Sequence, residues 1–301
     1  MSHIQDKPNQ HYVQQKYLEP WLVDGMIACL RERKKLFTTN TRNIASQRYF
    51  YNLNNLTLSD CKLIRKIFIE PQKDIELQKM LEDWIIPFEN LLFIIKNERT
   101  ADTELMLKNL LEEVYCTVES IGSPGLQKIS AGDLSIVTEQ SDEFFCFITY
   151  LCFQFYRTKN MKTSVEKSLS EYAYLFNNFD SAFNLMVFVI ATLFGYTLTN
   201  LILNEEDKCY ILKNESTIPF ITGDQPVINT HAMDNIEPSE LSLYYPLNLT
   251  KALLINKDLL ENNKCSDDIV SSYNNLIVNN SNELLFANSE SWLLPYKISS
   301  N

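Results

Sequence analysis

One stretch constrains this chain more than any other: residues 181–204 contain no charged side chain and are long enough, as a helix, to cross a bilayer. A membrane span is disfavoured because no basic cluster flanks the stretch and because polar residues occur along it, namely Asn184, Thr192, Thr197, Thr199 and Asn200. Acidic residues 205–207 follow directly. We therefore expect a buried central helix, with a membrane segment as the alternative.

The composition is that of a packed protein, and it excludes several classes of site. Hydrophobic residues make up 45% of the 301 residues and charged residues 22%, which is the balance of a folded domain. The formal net charge of −11 opposes broad coating of nucleic acid or of anionic membranes. Six glycines are too few for a glycine-rich nucleotide fold, and three histidines nearly exclude a site built on several histidine ligands.

The N-terminus and the cysteines favour a cytoplasmic protein. Residues 1–17 are polar and lack the apolar core of a secretory signal. The seven cysteines are odd in number, scattered and without a CxxC pair, which is typical of reduced and buried thiols. We expect a cytoplasmic location and no membrane partner.

The chain divides into three sections that together predict a single α+β domain. Residues 1–58 and 209–290 contain short β-rich runs, whereas residues 59–204 repeat apolar side chains at helical spacing. Because an isolated N-terminal hairpin would be marginally stable, the strands of both ends predict one mixed sheet with a helical insertion. The predicted domain spans residues 1–301 and is mostly helical.

Local signals place boundaries inside the helical section. Residues 59–60 predict the N-cap of its first helix, and Pro87 predicts a kink or a boundary. Residues 123–133, with the sequence SPGLQKISAGD, predict a linker. Ser141 is expected to cap a strongly apolar helix that ends near Arg157.

Three positions offer candidates for a functional site, and each has a structural alternative. Asp224 follows a predicted strand in FITGDQPV, where it is either a catalytic carboxylate or the cap of its own turn. His11 can act as a general base or metal ligand, and a helix over residues 11–18 would place Gln15 on its face; a hydrogen-bonded structural histidine is the alternative. Arg157 ends a long uncharged run, so its guanidinium either caps the helix or binds an anion.

Two further groups of charges are open to the same two interpretations. Glu112 and Glu119 share a predicted helix face, either as an exposed acidic stripe or as part of a site. Basic residues near the N-terminus form either a solvated hairpin tip or a phosphate-binding edge: Arg31, Arg33, Lys34, Lys35, Arg42 and Arg48.

Several of these runs occur in an order that resembles a known family. HYVQQKYL, RYFY, FITYLCFQFYRT, PFITGDQPV and YYPLNLTKALLI resemble the bacterial family called domain of unknown function 4238, over most of the chain. The resemblance matches His11 and Gln15 to the family's HYVPQ-type motif, Arg157 to its arginine and Asp224 to its TSDNPV-like motif. The chain departs from the family pattern at Gln14, Lys16, Gly223 and Gln225.

The resemblance implies a fold and a shared cleft for His11, Gln15, Arg157 and Asp224, but no reaction. We expect an intracellular hydrolase or nuclease-like enzyme that acts on a phosphate-containing small molecule or nucleic acid. Asp224 and His11 would supply acid–base chemistry or hold a divalent metal, with Glu119 as the best further ligand. Arg157 would bind the anion and Gln15 would orient it.

A different class of function remains open for the same residues. The chain could instead be a non-enzymatic interaction or effector module of a bacterial stress or defence system. The polar residues would then form a buried hydrogen-bond network that pins the N-terminus to the sheet.

Overall fold

Long helices occupy the middle of the chain and strands its two ends in the computed structural model, which describes residues 9–51, 53, 55–98, 100–138, 141–231, 240–260 and 262–298. The helices are α1 (Gln15–Leu18), α2 (Leu58–Ile64), α3 (Ile75–Asn97), α4 (Ala101–Ala131), α5 (Ser135–Thr138), α6 (Asp142–Tyr156), α7 (Lys159–Ser168), α8 (Ser170–Ala173), α9 (Phe179–Leu203) and α10 (Asp267–Asn280). The strands are β1 (Asn9–His11), β2 (Ile27–Arg31), β3 (Lys35–Thr39), β4 (Ser46–Arg48), β5 (Lys208–Asn214), β6 (Thr222–Gly223), β7 (Ile228–Asn229), β8 (Ser242–Pro246), β9 (Lys251–Asn256), β10 (Lys264–Cys265) and β11 (Leu284–Ala287). The predicted α+β class is confirmed.

The uncharged stretch forms most of α9, which lies at the centre of the helical layer. The helix packs against α6 and α3, and α6 packs against α4. Asn178 caps its start by accepting a hydrogen bond from the Ser181 N–H. The helix is long and apolar enough to cross a membrane, and 61% of its most apolar window is buried within the protein.

Aromatic side chains join α9 to three neighbouring helices. The Phe188 ring of α9 lies 5.2 Å from Trp84 of α3, 4.9 Å from Tyr115 of α4 and 5.2 Å from Phe153 of α6, measured between ring centroids. Trp84 also donates its indole N–H to the Thr192 hydroxyl at 2.8 Å. Such ring pairs add to the free energy gained by burial and fix the relative position of the helices.

The predicted linker at residues 123–133 is wrong, because α4 continues through it. The helix includes Pro124 and ends at the left-handed Gly132, whose φ is 92°. Gly122 and Gly125 face buried aromatic side chains of α6, and a Cβ atom at either glycine would overlap them. The glycines therefore permit close approach of two helices, and this packing outweighs the local turn signals.

Two other boundary predictions need correction and a third is confirmed. Pro87 lies inside α3 and is not a boundary. The N-cap of α2 is Thr57, whose hydroxyl accepts from the Asp60 N–H while the Asp60 carboxylate accepts from the Thr57 N–H, which is a reciprocal capping box. Ser141 caps α6 as predicted, and α6 ends at Tyr156.

The strands form more than the single predicted sheet. A four-stranded sheet in the order β3-β2-β11-β6 joins the two ends of the chain, as expected. The order β10-β5-β9-β8-β7 forms a five-stranded sheet from the C-terminal section alone, and β1 pairs with β4. Short connections favour pairing of strands that follow each other in the chain, such as β8 and β9. The backbone hydrogen-bonding groups of the strands in the five-stranded sheet are therefore paired with one another and not with the N-terminal strands.

Two apolar cores lie on opposite sides of the C-terminal strands. Neighbouring residues of β8 show the division, because Tyr245 belongs to the core shared with the helical layer and Tyr244 to the core covered by α10. The N-terminal segment contributes Trp21 to the larger core. Three of the functional candidates, His11, Gln15 and Arg157, lie where this segment meets α4 and α6.

Candidate functional site

The N-terminal segment is held by buried side chains that hydrogen-bond to distant parts of the chain. Each of these bonds has a distance typical of a good hydrogen bond: Tyr150 Oη donates to Gln14 Oε1 at 2.6 Å, Tyr17 Oη to Pro246 O at 2.8 Å and Trp21 Nε1 to Phe220 O at 2.9 Å. The segment is thereby fixed against both the helices and the sheets, and it carries His11 and Gln15 with it.

The predicted helix over residues 11–18 is wrong in its first half. His11 is the last residue of β1 and pairs with Ser46 of β4, while α1 begins at Gln15. The Tyr12 N–H donates to Ala45 O at 3.0 Å. The backbone N–H before α1 therefore finds its hydrogen-bond acceptor in a distant segment and not in a helical turn.

Arg157 follows α6 and turns its guanidinium into the protein, where the side chain is 0% exposed. Its Nη1 donates to Glu119 Oε1 at 2.7 Å and its Nη2 to Gln154 Oε1 at 2.8 Å. The guanidinium carbon also lies 5.5 Å from the centroid of the Tyr115 ring. The side chain therefore makes an ion pair with α4 instead of capping its own helix.

Burial alone would lower the pKa of the Arg157 guanidinium. The neighbouring Tyr51 hydroxyl and the negative charge of Glu119 outweigh burial, so the pKa of Arg157 lies above its ordinary value. The group is thus a permanent buried cation, and Glu119, 22% exposed, connects it to the solvent side of the cluster.

His11 lies half-buried beside this ion pair. The side-chain amide of Gln15 lies 3.4 Å from His11 Nδ1, which is a long hydrogen bond whose donor depends on the imidazole tautomer. Burial lowers the pKa of His11 below its ordinary value of 6.5, and the charge of Arg157 lowers it further. A hydrogen bond with the backbone at Arg42 and the charge of Glu119 act in the opposite direction, but they are not enough to offset burial. The imidazole is therefore neutral near pH 7 and able to accept a proton.

Asp224 follows β6 as predicted, but its carboxylate is directed at the turn between α10 and β11. It accepts backbone N–H groups from Asn282 at 2.7 Å, Glu283 at 2.7 Å and Leu284 at 3.1 Å. Burial raises the pKa of Asp224 to about 6, while these three amides act to lower it. The residue fixes a distant turn and does not cap its own.

The side chain of Tyr12 marks a second environment, next to that of His11. The charges of Asp224 and Glu283 act on its hydroxyl, and the Lys159 ammonium lies 5.6 Å from its ring centroid. Adjacent residues of an extended segment point to opposite sides, so His11 faces Arg157 while Tyr12 faces Asp224. The structure thus brings His11, Gln15 and Arg157 together and leaves the Asp224 carboxylate outside the cluster.

Gln225 links the two environments through the end of α6. Its Oε1 accepts a hydrogen bond from the Thr158 hydroxyl, and its Nε2 donates to Phe155 O at 3.1 Å and to Val227 O at 2.7 Å. Because Thr158 directly follows Arg157, the turn that contains Asp224 helps to position the arginine.

Several hydrogen-bond donors around Arg157 lack an acceptor. Arg157 Nε, Gln154 Nε2 and Tyr115 Oη are buried and have no partner among the residues that the structure describes. Buried polar groups are normally paired, so unpaired donors beside a buried cation indicate a place for water or for a ligand with acceptor oxygens. We call His11, Gln15, Tyr115, Glu119, Gln154 and Arg157 the arginine cluster.

The side chains do not fit a divalent metal. In the part of the chain that the structure describes, no three His, Cys, Asp or Glu side chains form a group that could hold a metal ion. His11 and Glu119 are both near Arg157, whose positive charge opposes a second cation. The Asp224 oxygens accept three backbone amides, so this expected ligand is already occupied.

A groove of about 470 Å³ lies along α4, and no side chain of the arginine cluster lines it. Ser123, one helical turn after Glu119, lies at its edge and donates its hydroxyl to the Glu119 carbonyl oxygen at 2.6 Å. The wall combines polar and apolar side chains, among them Lys16, Gln127, Ser130 and Leu247. The volume is within the range of small-molecule sites.

Four of the six basic N-terminal residues lie at the tip of the β2–β3 hairpin: Arg31, Arg33, Lys34 and Lys35. Arg42 lies in a short 3-10 helix and Arg48 in β4, so these two are not part of the tip. Residues 32–34 form the turn, where Glu32 and Arg33 have positive φ angles of 49° and 55°. Arg33 Nε donates to Tyr296 O at 3.1 Å, which holds one of these cations against the C-terminal end of the chain.

Sequence reasoning missed two members of the arginine cluster. Gln154 is an uncharged polar residue three positions before Arg157 in an otherwise aromatic run, which is the one signal that could have identified it. No sequence pattern indicated Tyr115, because its contact with the Arg157 guanidinium depends on the packing of α4 against α6.

Comparison with known proteins gives one result that covers nearly the whole chain. A family model described as "Protein of unknown function (DUF4238)" matches residues 9–294. No curated protein and no solved structure matches the chain.

Proposed function

The chain belongs to the family described as a protein of unknown function, DUF4238, and from the arginine cluster we propose that it is a hydrolase or nuclease-like enzyme acting on a phosphate-containing substrate. One observation carries this proposal: Arg157 Nε, Gln154 Nε2 and Tyr115 Oη are buried donors without acceptors. A phosphoryl group supplies acceptor oxygens together with negative charge, which matches this surplus of donors.

The residues of the cluster divide the chemistry between them. Arg157 and Gln154 would hold the phosphoryl oxygens, while neutral His11 accepts a proton from the attacking water at Nε2, which has no partner among the described residues. In this tautomer the ring carries its own proton on Nδ1, beside the Gln15 amide. As the new P–O bond forms and the bond to the leaving group breaks, the imidazolium returns that proton to the leaving oxygen. Gln15 orients the imidazole, and Glu119 keeps the guanidinium in place.

Asp224 has a positioning role in this proposal. Its carboxylate fixes residues 282–284, and the neighbouring Gln225 holds Thr158 beside Arg157. It does not contact the substrate, so we do not assign it the acid–base chemistry expected from its place in the sequence.

The proposal is tested by a hydrolysis screen that compares two histidine variants. Phosphomonoesters, phosphodiesters, nucleotides and short nucleic acids are incubated with the wild type, His11→Gln and His231→Gln. We expect the wild type to hydrolyse at least one class and His11→Gln to lose roughly 10²–10⁴-fold of the rate, which is the usual contribution of an acid–base group.

The exposed His231 provides the matched control, because the same substitution removes an imidazole outside the arginine cluster. Its variant should retain the wild-type rate, and the thermal melt of His11→Gln should confirm that it is folded. An active wild type with an equally active His11→Gln variant removes His11 from the mechanism.

The interaction or effector module is a second candidate, and the Asp224 geometry favours it. All three N–H donors that bind this carboxylate are backbone groups, and Arg157 is 0% exposed, as expected for a structural network. In that case no substrate is hydrolysed and His11→Gln lowers the free energy of unfolding by about 1–3 kcal/mol. A stable His11→Gln variant without hydrolysis by either protein would contradict both candidates.

A further inference from the structure

Strand β3 has the longest open edge among the strands that the structure describes. At the borders of the sheets, β1 and β4 have 3 residues each, β6, β7 and β10 have 2 each, and β3 has 5. β3 pairs with β2 without interruption from Lys35 to Thr39, and its other side makes no backbone hydrogen bond to a described residue. An edge of this length offers N–H and C=O groups to another extended segment.

The β2–β3 hairpin is anchored to the C-terminal end of the described chain. At its tip, the Arg33 carbonyl oxygen accepts the Ile298 N–H at 2.7 Å, and Arg33 Nε donates to Tyr296 O at 3.1 Å. Further along β3, Thr38 Oγ1 donates to Glu290 Oε1 at 3.0 Å. Because the edge is already held in an extended form, a partner would lose little free energy in ordering it.

The side chains beside this edge are positively charged. Arg31 lies opposite Lys35, so both side chains share a face of the hairpin with Phe37. The Arg31 guanidinium carbon lies 5.2 Å and the Lys35 ammonium nitrogen 6.0 Å from the centroid of the Phe37 ring. Arg31, Lys34 and Lys35 are exposed, and none forms an ion pair with a described residue. Unpaired cations in a chain of net charge −11 favour an acidic partner.

The charge and the open backbone together decide between the possible occupants. The β3 edge of a second copy has the same cations and no acid, so it cannot neutralise them. A nucleic acid would neutralise them, but it has no peptide backbone to pair with the edge. We propose that the β3 edge binds an acidic extended segment of a partner protein as an added strand. None of these residues belongs to the arginine cluster, so the proposal is independent of the proposed hydrolysis.

The experiment measures binding of the peptide ETETETE, with an N-terminal fluorescein, to the full chain by fluorescence anisotropy at low salt. In an extended backbone all its glutamates lie on one face. The peptide QTQTQTQ removes the charge, and a fully N-methylated ETETETE removes the backbone donors. We expect ETETETE to bind, and each control peptide to bind roughly tenfold more weakly or less.

Two variants test whether the peptide binds at β3. Lys35→Glu reverses a charge at the edge, and Lys167→Glu makes the same change at an exposed position of α7. We expect Lys35→Glu to weaken binding of ETETETE by roughly fivefold or more, and Lys167→Glu to keep the wild-type affinity. Because both lysines are exposed, both variants should melt near the wild-type temperature.

Hydrogen exchange tests the strand pairing itself. Bound ETETETE should slow exchange of amides in β3 and leave those of β7, at the border of the five-stranded sheet, unchanged. The proposal is contradicted if ETETETE does not bind, if it binds without slowing exchange in β3, or if Lys35→Glu or N-methylation leaves the affinity unchanged. Tighter binding of a fluorescein-labelled oligothymidylate than of ETETETE would assign the cations to nucleic acid and overturn it as well.

Discussion

At the scale of single residues, Arg157 shows how a charge is kept inside this protein. Its side chain has no solvent contact, and the Glu119 carboxylate and Gln154 amide oxygen occupy two of its nitrogen atoms. Removal of one partner of a buried ion pair leaves an uncompensated charge, whereas removal of both is much less costly. The pair can therefore be tested without any knowledge of a substrate.

We expect Arg157→Met to lower the free energy of unfolding by about 3–5 kcal/mol. The Glu119 carboxylate then loses the partner of its ion pair, and the Tyr115 ring loses the guanidinium that lies over it. The double variant Arg157→Met/Glu119→Gln should recover part of this loss. Urea unfolding of the two single variants, the double variant and the wild type measures the coupling. Strictly additive effects would show that the two side chains do not stabilise each other.

Asp224 predicts a specific dependence of stability on pH. Its native pKa of about 6 exceeds the ordinary 3.8, so the native state holds the proton more tightly than the unfolded state. The free energy of unfolding should therefore fall as the pH rises from about 4 to 6, by roughly 3 kcal/mol for this group alone. Asp224→Asn should be less stable overall but should lack this slope, as measured by urea unfolding at several pH values. A slope that persists in the variant would contradict the assignment.

At the scale of elements, sequence patterns located most helices and strands but not the ones set by tertiary contacts. The apolar periodicity and caps predicted α6 and α9, and the short β-rich runs of residues 1–58 and 209–290 predicted strands in the sections where β2 and β9 form. Residues 123–133 were mistaken for a linker because Gly125 serves the crossing of α4 and α6 and not a turn. Residues 11–14 were mistaken for helix because their backbone partners lie some thirty residues away, at Ala45.

We expect Gly122→Ala to destabilise the crossing of α4 and α6. Alanine would gain about 1 kcal/mol of helix propensity in an exposed position, but here its Cβ would overlap Tyr150, and overpacking costs typically 1–3 kcal/mol. Thermal unfolding should therefore show a lower midpoint. Thr117→Ala, exposed on the same helix, should change stability by less than about 0.5 kcal/mol. A raised midpoint for Gly122→Ala would show that the helices do not meet closely there.

At the scale of the whole molecule, the polar residues singled out in the sequence lie on two sides of one extended segment. His11, Gln15 and Arg157 were found because charged and imidazole groups are scarce in apolar surroundings and because they match family motifs. The contacts that define their chemistry were harder to predict. Glu119 reaches Arg157 only through the packing of α4 against α6, whereas Gln154 lies three residues before Arg157 in the chain. The amides of residues 282–284 reach Asp224 across some sixty residues.

The central claim is that a phosphoryl group binds beside His11. The chain has three histidines, so proton NMR can follow each imidazole during a pH titration, with His11→Gln and His231→Gln providing the assignments. Without ligand, His11 should titrate below 6.5. On addition of inorganic phosphate or vanadate, its pKa should rise because a neighbouring anion favours the imidazolium. A pKa of His11 that phosphate and vanadate leave unchanged would contradict the account.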